Sequence, residues 1–155
     1  MTAVRRELLI PRPRDEVFAF FADPRNLEVI TPPWLHFRIT DLADGPLRTG
    51  STINYSLRIH GIRINWRTLI SRFEPPHQFI DEQIRGPYRE WVHVHTFEEV
   101  DGGTLVRDAI DYRVLGGALI DRLFVRRDVK RIFDYRAEVL STRFGSRPEP
   151  GEPRR

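Results

Sequence analysis

Apolar and polar residues alternate along most of the chain, and this period of two predicts β-strands. Short turn signals separate the alternating segments: His60-Gly61, Gly86-Pro87 and Asp101-Gly102 each join two segments closely enough for an antiparallel hairpin. The predicted strands are residues 3–10, Phe37–Leu42, Ser51–Ile59, Ile62–Phe73, Gln78–Arg85, Tyr88–Glu99 and Thr104–Val114. We therefore expect a single seven-stranded antiparallel sheet.

A helical period replaces the alternation in three places. Two short helices follow the first strand: Val17–Phe21, opened by the acidic pair Asp15-Glu16, and Asn26–Ile30, closed by Thr31-Pro32. A long helix is predicted over residues 118–144, because its apolar positions recur at a spacing of three or four. The stripe consists of Val125, Val129, Ile132, Phe133, Val139 and Leu140, with Arg136 in its middle.

This order of elements predicts an α+β domain in which the long helix covers one face of the sheet. A curved sheet around a single helix leaves space between the two, and such a space is a natural ligand site. We expect residues 1–145 to form this one domain. Residues 146–155 are rich in Pro, Arg and Glu without apolar side chains, which predicts a disordered tail.

Composition narrows the function. The 155 residues include no cysteine, which excludes disulfides and thiolate chemistry and fits a reducing compartment. No signal-peptide region is visible at the N-terminus, and no segment has the roughly 18 apolar residues of a membrane span, so we expect a cytoplasmic protein. The net charge is only +3 with both signs interspersed, so nucleic acid is not an expected partner. Lys130 is the only lysine, and the excess of arginine is typical of a GC-rich bacterial coding bias.

The last hairpin yields a register. Asp101-Gly102 favours a two-residue type I′ turn, and counting outward from it places His95 opposite Asp108. Side chains on one strand face share an environment, and this face is largely apolar, so we assign it to the interior. The predicted cavity wall then includes Trp91, His93, His95, Asp108 and Tyr112.

The pair formed by His95 and Asp108 has two interpretations. An aspartate beside a histidine orients the ring and holds its proton on the facing nitrogen, which suits ligand anchoring or acid–base chemistry. The alternative is a half-buried ion pair that only satisfies both groups. His93 and His95 also lie on one strand face, as metal ligands can, but no third ligand is evident, so we expect no metal and no cofactor.

Arg136 is the second candidate, because a charge in the middle of a covering helix needs a partner. It either holds a ligand carboxylate or enolate, or it forms a salt bridge with one of the acidic residues Asp81, Glu82 and Asp108.

The orientation of the strand before Gly86-Pro87 stays open, because the length of that loop is uncertain. Either Glu82 or the pair Asp81 and Gln83 points inward. Tyr55 and Trp66 are expected to line the cavity, with plain core packing as the alternative.

Several motifs occur together over residues 4–144. They are Asn26-Leu27, Ile30-Thr31-Pro32-Pro33-Trp34, Asp81-Glu82-Gln83, Gly86-Pro87-Tyr88, Trp91, His93, His95-Thr96-Phe97 and Ile132-Phe133-Asp134-Tyr135-Arg136. In this combination the chain resembles the SRPBCC, or START/Bet v 1-like, helix-grip superfamily, and within it a bacterial polyketide-cyclase/dehydrase-like ligand-binding branch. The resemblance implies a helix-grip fold with a cavity and favours Gln83 as an inward residue. It implies no particular reaction, because one fold hosts many functions.

The leading hypothesis is therefore binding or carriage of a small hydrophobic ligand with one polar end: a lipid, a polyketide, a quinone or an aromatic metabolite. The second is an acid–base enzyme of cyclase or dehydratase type, with His95 as base, Asp108 orienting it, and Arg136 or Tyr112 stabilising an enolate. A third is an interaction protein whose surface matters more than its cavity. The sequence makes no prediction of oligomeric state.

Overall fold

The computed structural model describes residues 1–145. Its strands are β1 (Thr2–Ile10), β2 (Arg38–Leu42), β3 (Thr52–Ile59), β4 (Ile62–Glu74), β5 (Gln78–Arg85), β6 (Tyr88–Val100) and β7 (Gly103–Val114). They form one antiparallel sheet in the order β1-β7-β6-β5-β4-β3-β2, in which every neighbouring pair except β1 and β7 is consecutive in the chain. The prediction of a single seven-stranded antiparallel sheet is confirmed.

The helices also occur where the sequence predicts them. Two short helices, α1 (Arg14–Ala22) and α2 (Leu27–Ile30), lie between β1 and β2. At the C-terminal end, α3 (Gly117–Ile120), a π-helical turn (Asp121–Val125) and α4 (Arg126–Phe144) follow one another without a break. The buried side chains of α4 continue the predicted stripe: Val129, Phe133, Arg136, Leu140 and Phe144. The helix-grip fold is therefore confirmed.

The turn at Asp101-Gly102 sets the register as predicted. Val100 pairs with Gly103, and further out His95 pairs with Asp108. The loop has the predicted two residues but is not a type I′ turn, because that turn requires a positive φ at both of them and only Gly102, at +86°, has one. The inward row of β6 therefore has the predicted orientation.

A buried group of aromatic rings packs α1 and α4 against the sheet. We call it the phenylalanine core: Phe18, Phe20, Phe21, Phe79, Phe97 and Phe144. The ring centroid of Phe18 lies 5.1 Å from that of Phe97 and 6.0 Å from that of Phe79, both edge to face. This geometry is the favourable one for aromatic pairs. Phe20, Phe21 and Phe79 also border the cavity described below, so the core forms one of its walls.

The predicted disordered tail, residues 146–155, lies outside the described residues. Its disorder and the domain boundary at residue 145 stay predictions. Within residues 1–145, no helix combines the length and the apolarity that crossing a bilayer demands.

Candidate functional site

A cavity of about 180 Å³ lies between the inner face of the sheet and the helices. Its wall is mostly aliphatic and aromatic, with contributions from β3 to β6, from α1 and α2, and from α4. Most of the side chains predicted for the site line this space: Tyr55, Trp66, Trp91, His93, His95 and Arg136. The predicted residues Gln83, Asp108 and Tyr112 do not line it, and Asp81, whose orientation was left open, does.

The inward row of β6 places polar groups between aromatic ones. Alternation along this strand brings Trp91, His93, His95 and Phe97 to the same face. The two imidazole rings are adjacent, with centroids 3.6 Å apart. The ring of His95 also stacks on Phe79 at 4.1 Å. Both histidines are buried, so their polar atoms need partners inside the protein.

Asp108 bonds chiefly to a different histidine from the one predicted. His95 is its strand partner, yet the Nε2 atom of His93 lies 2.7 Å from the Oδ1 atom of Asp108. The Nδ1 atom of His95 is 3.3 Å from the same oxygen, without the alignment of a hydrogen bond. Side chains lean along a strand, so a diagonal neighbour can make the better contact. The predicted dyad is therefore corrected to a contact between His93 and Asp108.

Asp81 supplies the bonded carboxylate for His95. Its Oδ2 atom lies 2.5 Å from the Nε2 atom of His95 and 3.6 Å from the Nδ1 atom of His93. The register pairs Asp81 with His93 across β5 and β6, so the open question resolves in favour of Asp81 and Gln83 pointing inward. The sequence identified the pair Asp81 and Gln83 as one of two sets that could point inward. Only the length of the loop between β5 and β6 could have distinguished this pair from Glu82.

These groups form what we call the charged cluster: Asp81, His93, His95, Asp108 and Arg136. Burial raises the pKa of both carboxyl groups, but nearby positive groups outweigh it. The pKa of Asp81 is lowered by His93 and His95, and the pKa of Asp108 is held well below its usual range, chiefly by Arg136. Both side chains are therefore carboxylates at neutral pH.

The two histidines differ in charge preference. Burial and the neighbouring His95 lower the pKa of His93 in spite of the carboxylates near it. Burial also opposes a charge on His95, but the carboxylates of Asp108 and Asp81 outweigh it and raise its pKa. A neutral His93 then donates its Nε2 proton to Asp108, and a charged His95 donates its Nε2 proton to Asp81.

Arg136 completes the cluster from α4. It is 9% exposed, and its Nη2 atom lies 3.6 Å from the Oδ1 atom of Asp108, which is beyond hydrogen-bonding distance. Its guanidinium carbon lies 5.0 Å from the ring centroid of Phe21 and 5.6 Å from that of Phe133. Its Nε atom has no hydrogen-bond partner among the described residues. The arginine thus retains donor capacity inside the cavity.

Tyr112 is buried on the inner face, but its hydroxyl points away from the cavity. It donates to the Oδ1 atom of Asp121 at 2.7 Å, in the π-helical turn that covers this end of the sheet. Burial, followed by the bond to Asp121, raises the pKa of Tyr112. The predicted role of Tyr112 in stabilising an enolate is therefore wrong for this arrangement, because its hydroxyl is already engaged elsewhere.

Gln83 has a structural environment. Its Nε2 atom donates to the carbonyl oxygen of Tyr88 at 2.8 Å, and its Oε1 atom accepts from the amide of Tyr88 at 3.2 Å. A Cβ atom at Gly86 would lie 2.4 Å from Oε1 of Gln83, so the turn accepts no side chain there without displacing this amide. Gln83 therefore lies on the inner face of the sheet but does not line the cavity, because its amide closes the turn between β5 and β6.

Tyr55 and Trp66 line the cavity as predicted, and they also pack against each other. Their rings stack at 5.7 Å, and the Nε1 atom of Trp66 donates to the hydroxyl of Thr68 at 3.1 Å. Trp91 meets Trp66 edge to face at 5.5 Å. Since the indole nitrogen of Trp66 is satisfied within the protein, this wall offers a ligand mainly aromatic surface.

Asp81, His93 and His95 bring three possible metal ligands within 4.8 Å of one another, which sequence reasoning missed. The third group comes from the neighbouring strand, so no spacing along the chain revealed it. However, Asp81 and His95 are 2.5 Å apart, whereas two ligands of one tetrahedral zinc ion lie roughly 3.3 Å apart for bonds of about 2.0–2.1 Å. The spacing is that of a hydrogen-bonded ion pair, and binding a metal would require the two groups to separate.

Comparison with solved structures gives the same fold in organisms as distant as bacteria and plants. The protein Ms6760 from Mycobacterium smegmatis is 21% identical, with 90% of this chain and 88% of that chain covered and a TM-score of 0.67. Ginseng major latex-like protein 151 from Panax ginseng is 14% identical over 92% of this chain and 97% of that chain, with a TM-score of 0.67. Ara h 8.0201 is 15% identical over 92% and 97%, with a TM-score of 0.68. At these identities the likeness concerns the fold alone.

No curated protein matches the sequence. The sequence model of the family described as "Polyketide cyclase / dehydrase and lipid transport" matches residues 10–135. This range includes both short helices, most of the sheet and the first part of α4. With this match and the Bet v 1-like neighbours, the chain belongs to the polyketide cyclase/dehydrase and lipid transport family of the SRPBCC superfamily.

Proposed function

We propose that the protein binds and carries a small hydrophobic ligand whose polar end bears an oxygen acceptor, such as a carboxylate, an enolate or a carbonyl. Lipids, polyketides, quinones and aromatic metabolites all include molecules of this kind. The apolar part lies against the aromatic wall, and the acceptor lies against Arg136. Family membership supports ligand binding of this general type.

The aromatic wall supports the apolar part of the proposal. Trp66 contacts both Tyr55 and Trp91 on strands β3, β4 and β6, and aliphatic side chains also line the cavity. Burial raises the pKa of the Tyr55 hydroxyl well above its usual value, so this group stays neutral. Ligand pockets commonly combine such an apolar lining with few polar groups, which fix the ligand's orientation.

The unused donor of Arg136 is the observation that carries the proposal. A buried guanidinium group normally has its N–H groups paired, because an unpaired buried donor costs free energy. Here the Nε atom has no partner, the nearest carboxylate is 3.6 Å away, and the side chain borders the cavity. A ligand oxygen beside the cavity-facing part of the guanidinium group would supply an acceptor for this under-bonded arginine, and a charge-assisted hydrogen bond is among the stronger ones.

The test uses two fluorescent probes of similar size, an anionic naphthalene sulfonate and an uncharged phenylnaphthylamine. We expect both probes to bind the unmodified protein with micromolar dissociation constants. Arg136→Gln should raise the dissociation constant of the anionic probe by roughly tenfold or more, because hydrogen bonds to charged groups contribute about 1.5–3 kcal/mol. The uncharged probe should be little affected, whereas Trp91→Ala should weaken both.

Lys130→Gln provides the control, since it removes an exposed positive charge from the same helix. Arg136→Lys keeps the charge but not the planar donor group, so it separates charge from geometry. Thermal unfolding of each variant shows whether the fold survives. Failure of the unmodified protein to take up either probe would overturn the proposal, as would equal loss of both probes in a folded Arg136→Gln variant.

A second candidate is acid–base catalysis in the same cavity. The observation that favours it is the 2.5 Å contact of His95 with Asp81, both of which line the space. In this version His95 transfers the proton and Asp81, not Asp108, orients the ring. Arg136 would then stabilise an enolate oxygen.

Native mass spectrometry of protein purified from its own host separates the two candidates. A co-purifying molecule whose mass is unchanged after prolonged incubation supports carriage. Conversion of that molecule, slowed strongly by His95→Gln and not by His77→Gln at an exposed histidine, supports catalysis.

A further inference from the structure

A group of large apolar side chains is exposed where the C-terminal helix begins. We call it the apolar patch: Leu115, Leu119, Ile120, Leu123 and Phe124. Four of them are between 54% and 67% exposed, and Ile120 is 39% exposed. Single exposed apolar residues are ordinary, whereas several in one short segment mark a surface that binds another body.

The patch is held outward by the fold. Asp121, in the middle of this segment, is buried and accepts hydrogen bonds from the hydroxyls of Tyr112 and Thr2, both at 2.7 Å. Rolling the helix to bury Leu123 or Phe124 would break both bonds and leave the buried Asp121 carboxylate with only the long ion pair to Arg126, whose Nη2 atom is 3.5 Å away, and such a loss is costly inside a protein. The exposure is therefore a fixed property of the segment.

The charges around the patch have one sign. Between residues 115 and 127 the exposed charged side chains are Arg122, Arg126 and Arg127. The one acidic residue of this range, Asp121, is buried and bonded. An apolar surface rimmed by arginine is complementary to an anionic lipid surface, in which acyl chains lie beneath phosphate groups.

The patch also lies beside a second cavity. Leu115 and Val125 line this space of about 380 Å³, which shares Leu35, Ile59, Tyr88 and Ile132 with the ligand cavity. A body bound to the patch would therefore lie next to a space that adjoins the ligand cavity.

We infer that the apolar patch docks on a bilayer surface that contains anionic phospholipid, with Arg122, Arg126 and Arg127 among the head groups. The inference stands on the surface alone and does not depend on the proposed ligand. A second copy of the chain fits less well, because a symmetric contact would bring these arginines against their own equivalents.

The experiment is co-sedimentation of the purified protein with vesicles of phosphatidylcholine alone or mixed equally with phosphatidylglycerol, at low and high salt. We expect binding to the anionic vesicles, weakened by salt. Arg122→Gln/Arg127→Gln should weaken binding roughly thirtyfold, since each basic side chain near such a surface contributes about a fivefold factor. Leu123→Ser/Phe124→Ser should weaken it by roughly tenfold or more, because both side chains would be buried in the interface.

Two control variants match these changes elsewhere. Arg67→Gln/Arg85→Gln removes two exposed arginines from paired positions on β4 and β5, and Val29→Ser/Ile84→Ser removes two exposed apolar side chains. Both should bind anionic vesicles as the unmodified protein does. Absence of binding to anionic vesicles, or equal losses in patch and control variants, would overturn the inference. Concentration-dependent dimerisation in sedimentation velocity without lipid, abolished by Leu123→Ser/Phe124→Ser, would assign the patch to self-association and overturn it as well.

Discussion

The phenylalanine core and the charged cluster lie side by side on the inner face of one sheet, yet they are built on opposite principles. In the core, Phe18, Phe79 and Phe97 meet ring against ring. His95 is the next residue after Phe97 on the inner face of β6, and it belongs to a group of ion pairs that includes Asp81. The stacking of His95 on Phe79 at 4.1 Å is the boundary between the two regions.

The two regions differ in what they contribute to the stability of the folded protein. Aromatic packing stabilises the protein without any special arrangement of charge. Buried ion pairs cost desolvation, and well-packed apolar residues in their place are often neutral or stabilising. Stability alone therefore does not require charges beside a phenylalanine core, which supports the proposal that the charged cluster serves a ligand.

The largest effect is expected in the phenylalanine core. Phe97→Ala should lower the free energy of unfolding by about 3–5 kcal/mol, because it removes a buried ring and leaves a cavity. Urea unfolding followed by circular dichroism measures this loss. Thr96→Ala, on the opposite face of the same strand, should change the free energy by only about 0.5 kcal/mol. Similar losses for the two variants would show that this wall is not a packed core.

A smaller loss is expected in the charged cluster. Asp108→Asn keeps the shape but removes the charge beside Arg136 and His93, which should lower the free energy of unfolding by about 1–3 kcal/mol. Asp111→Asn is the matched control: this aspartate lies on the same strand as Asp108 and pairs with Arg5 of β1 at the surface, with a side chain 40% exposed. Its effect should stay below about 1 kcal/mol. If both variants lower the free energy of unfolding by the same small amount, the charged cluster is solvated and does not differ from the phenylalanine core in the way described.

The smallest effect concerns pH. In the folded protein the pKa of His95 should lie above the unfolded value of about 6.5, and the pKa of His93 below it. The stability contributed by His95 is full below that unfolded value and disappears as pH rises through the folded value. For His93 the sign is opposite, since the unfolded chain takes up the proton first and folding becomes less favourable as pH falls below about 6.5.

NMR titration of the imidazole protons measures both pKa values directly. In addition, His95→Gln should flatten the stability profile above a pH of about 6.5 more than the control His77→Gln, at an exposed histidine, does. Two histidines titrating on the same side of 6.5 would contradict the assigned partners.

Much of the fold was accessible from the sequence because its signals are local. Alternation predicted the strands, and the turn at Asp101-Gly102 determined which face of β6 turns inward. No comparable signal existed for β5. A strict two-residue loop at Gly86-Pro87 would pair Arg85 with Tyr88 and turn Glu82 inward, but the observed register pairs Asp81 with His93. One residue of loop length thus decided whether the cluster contained Asp81.

The site was harder to predict because bonding inside it runs diagonally. Register correctly placed His95 opposite Asp108, but hydrogen bonds follow the side chains and join Asp108 to His93. Tyr112 was also correctly predicted to lie on the inner face of the sheet. Its hydroxyl, however, bonds to Asp121 in a helical turn, and the register of the strands contains no information on that turn. Residue faces follow from a period of two, whereas bonding partners depend on the rotamers and on elements distant in sequence.

The preference of His93 for the neutral form has a consequence for thermodynamic linkage. At a pH between the pKa of His93 and that of His95, Asp81 and Asp108 are negative, Arg136 and His95 are positive and His93 is neutral, so the cluster carries no net charge. An anion entering beside Arg136 would make the net charge of the cluster negative. Protonation of His93, which is neutral before the ligand binds, would restore neutrality. Ligand binding would then draw a proton from solution, so its heat would vary with the ionisation enthalpy of the buffer, and its affinity for anions would rise as pH falls. In this way a ring that makes only one short contact would couple the occupancy of the cavity to the pH of the surroundings.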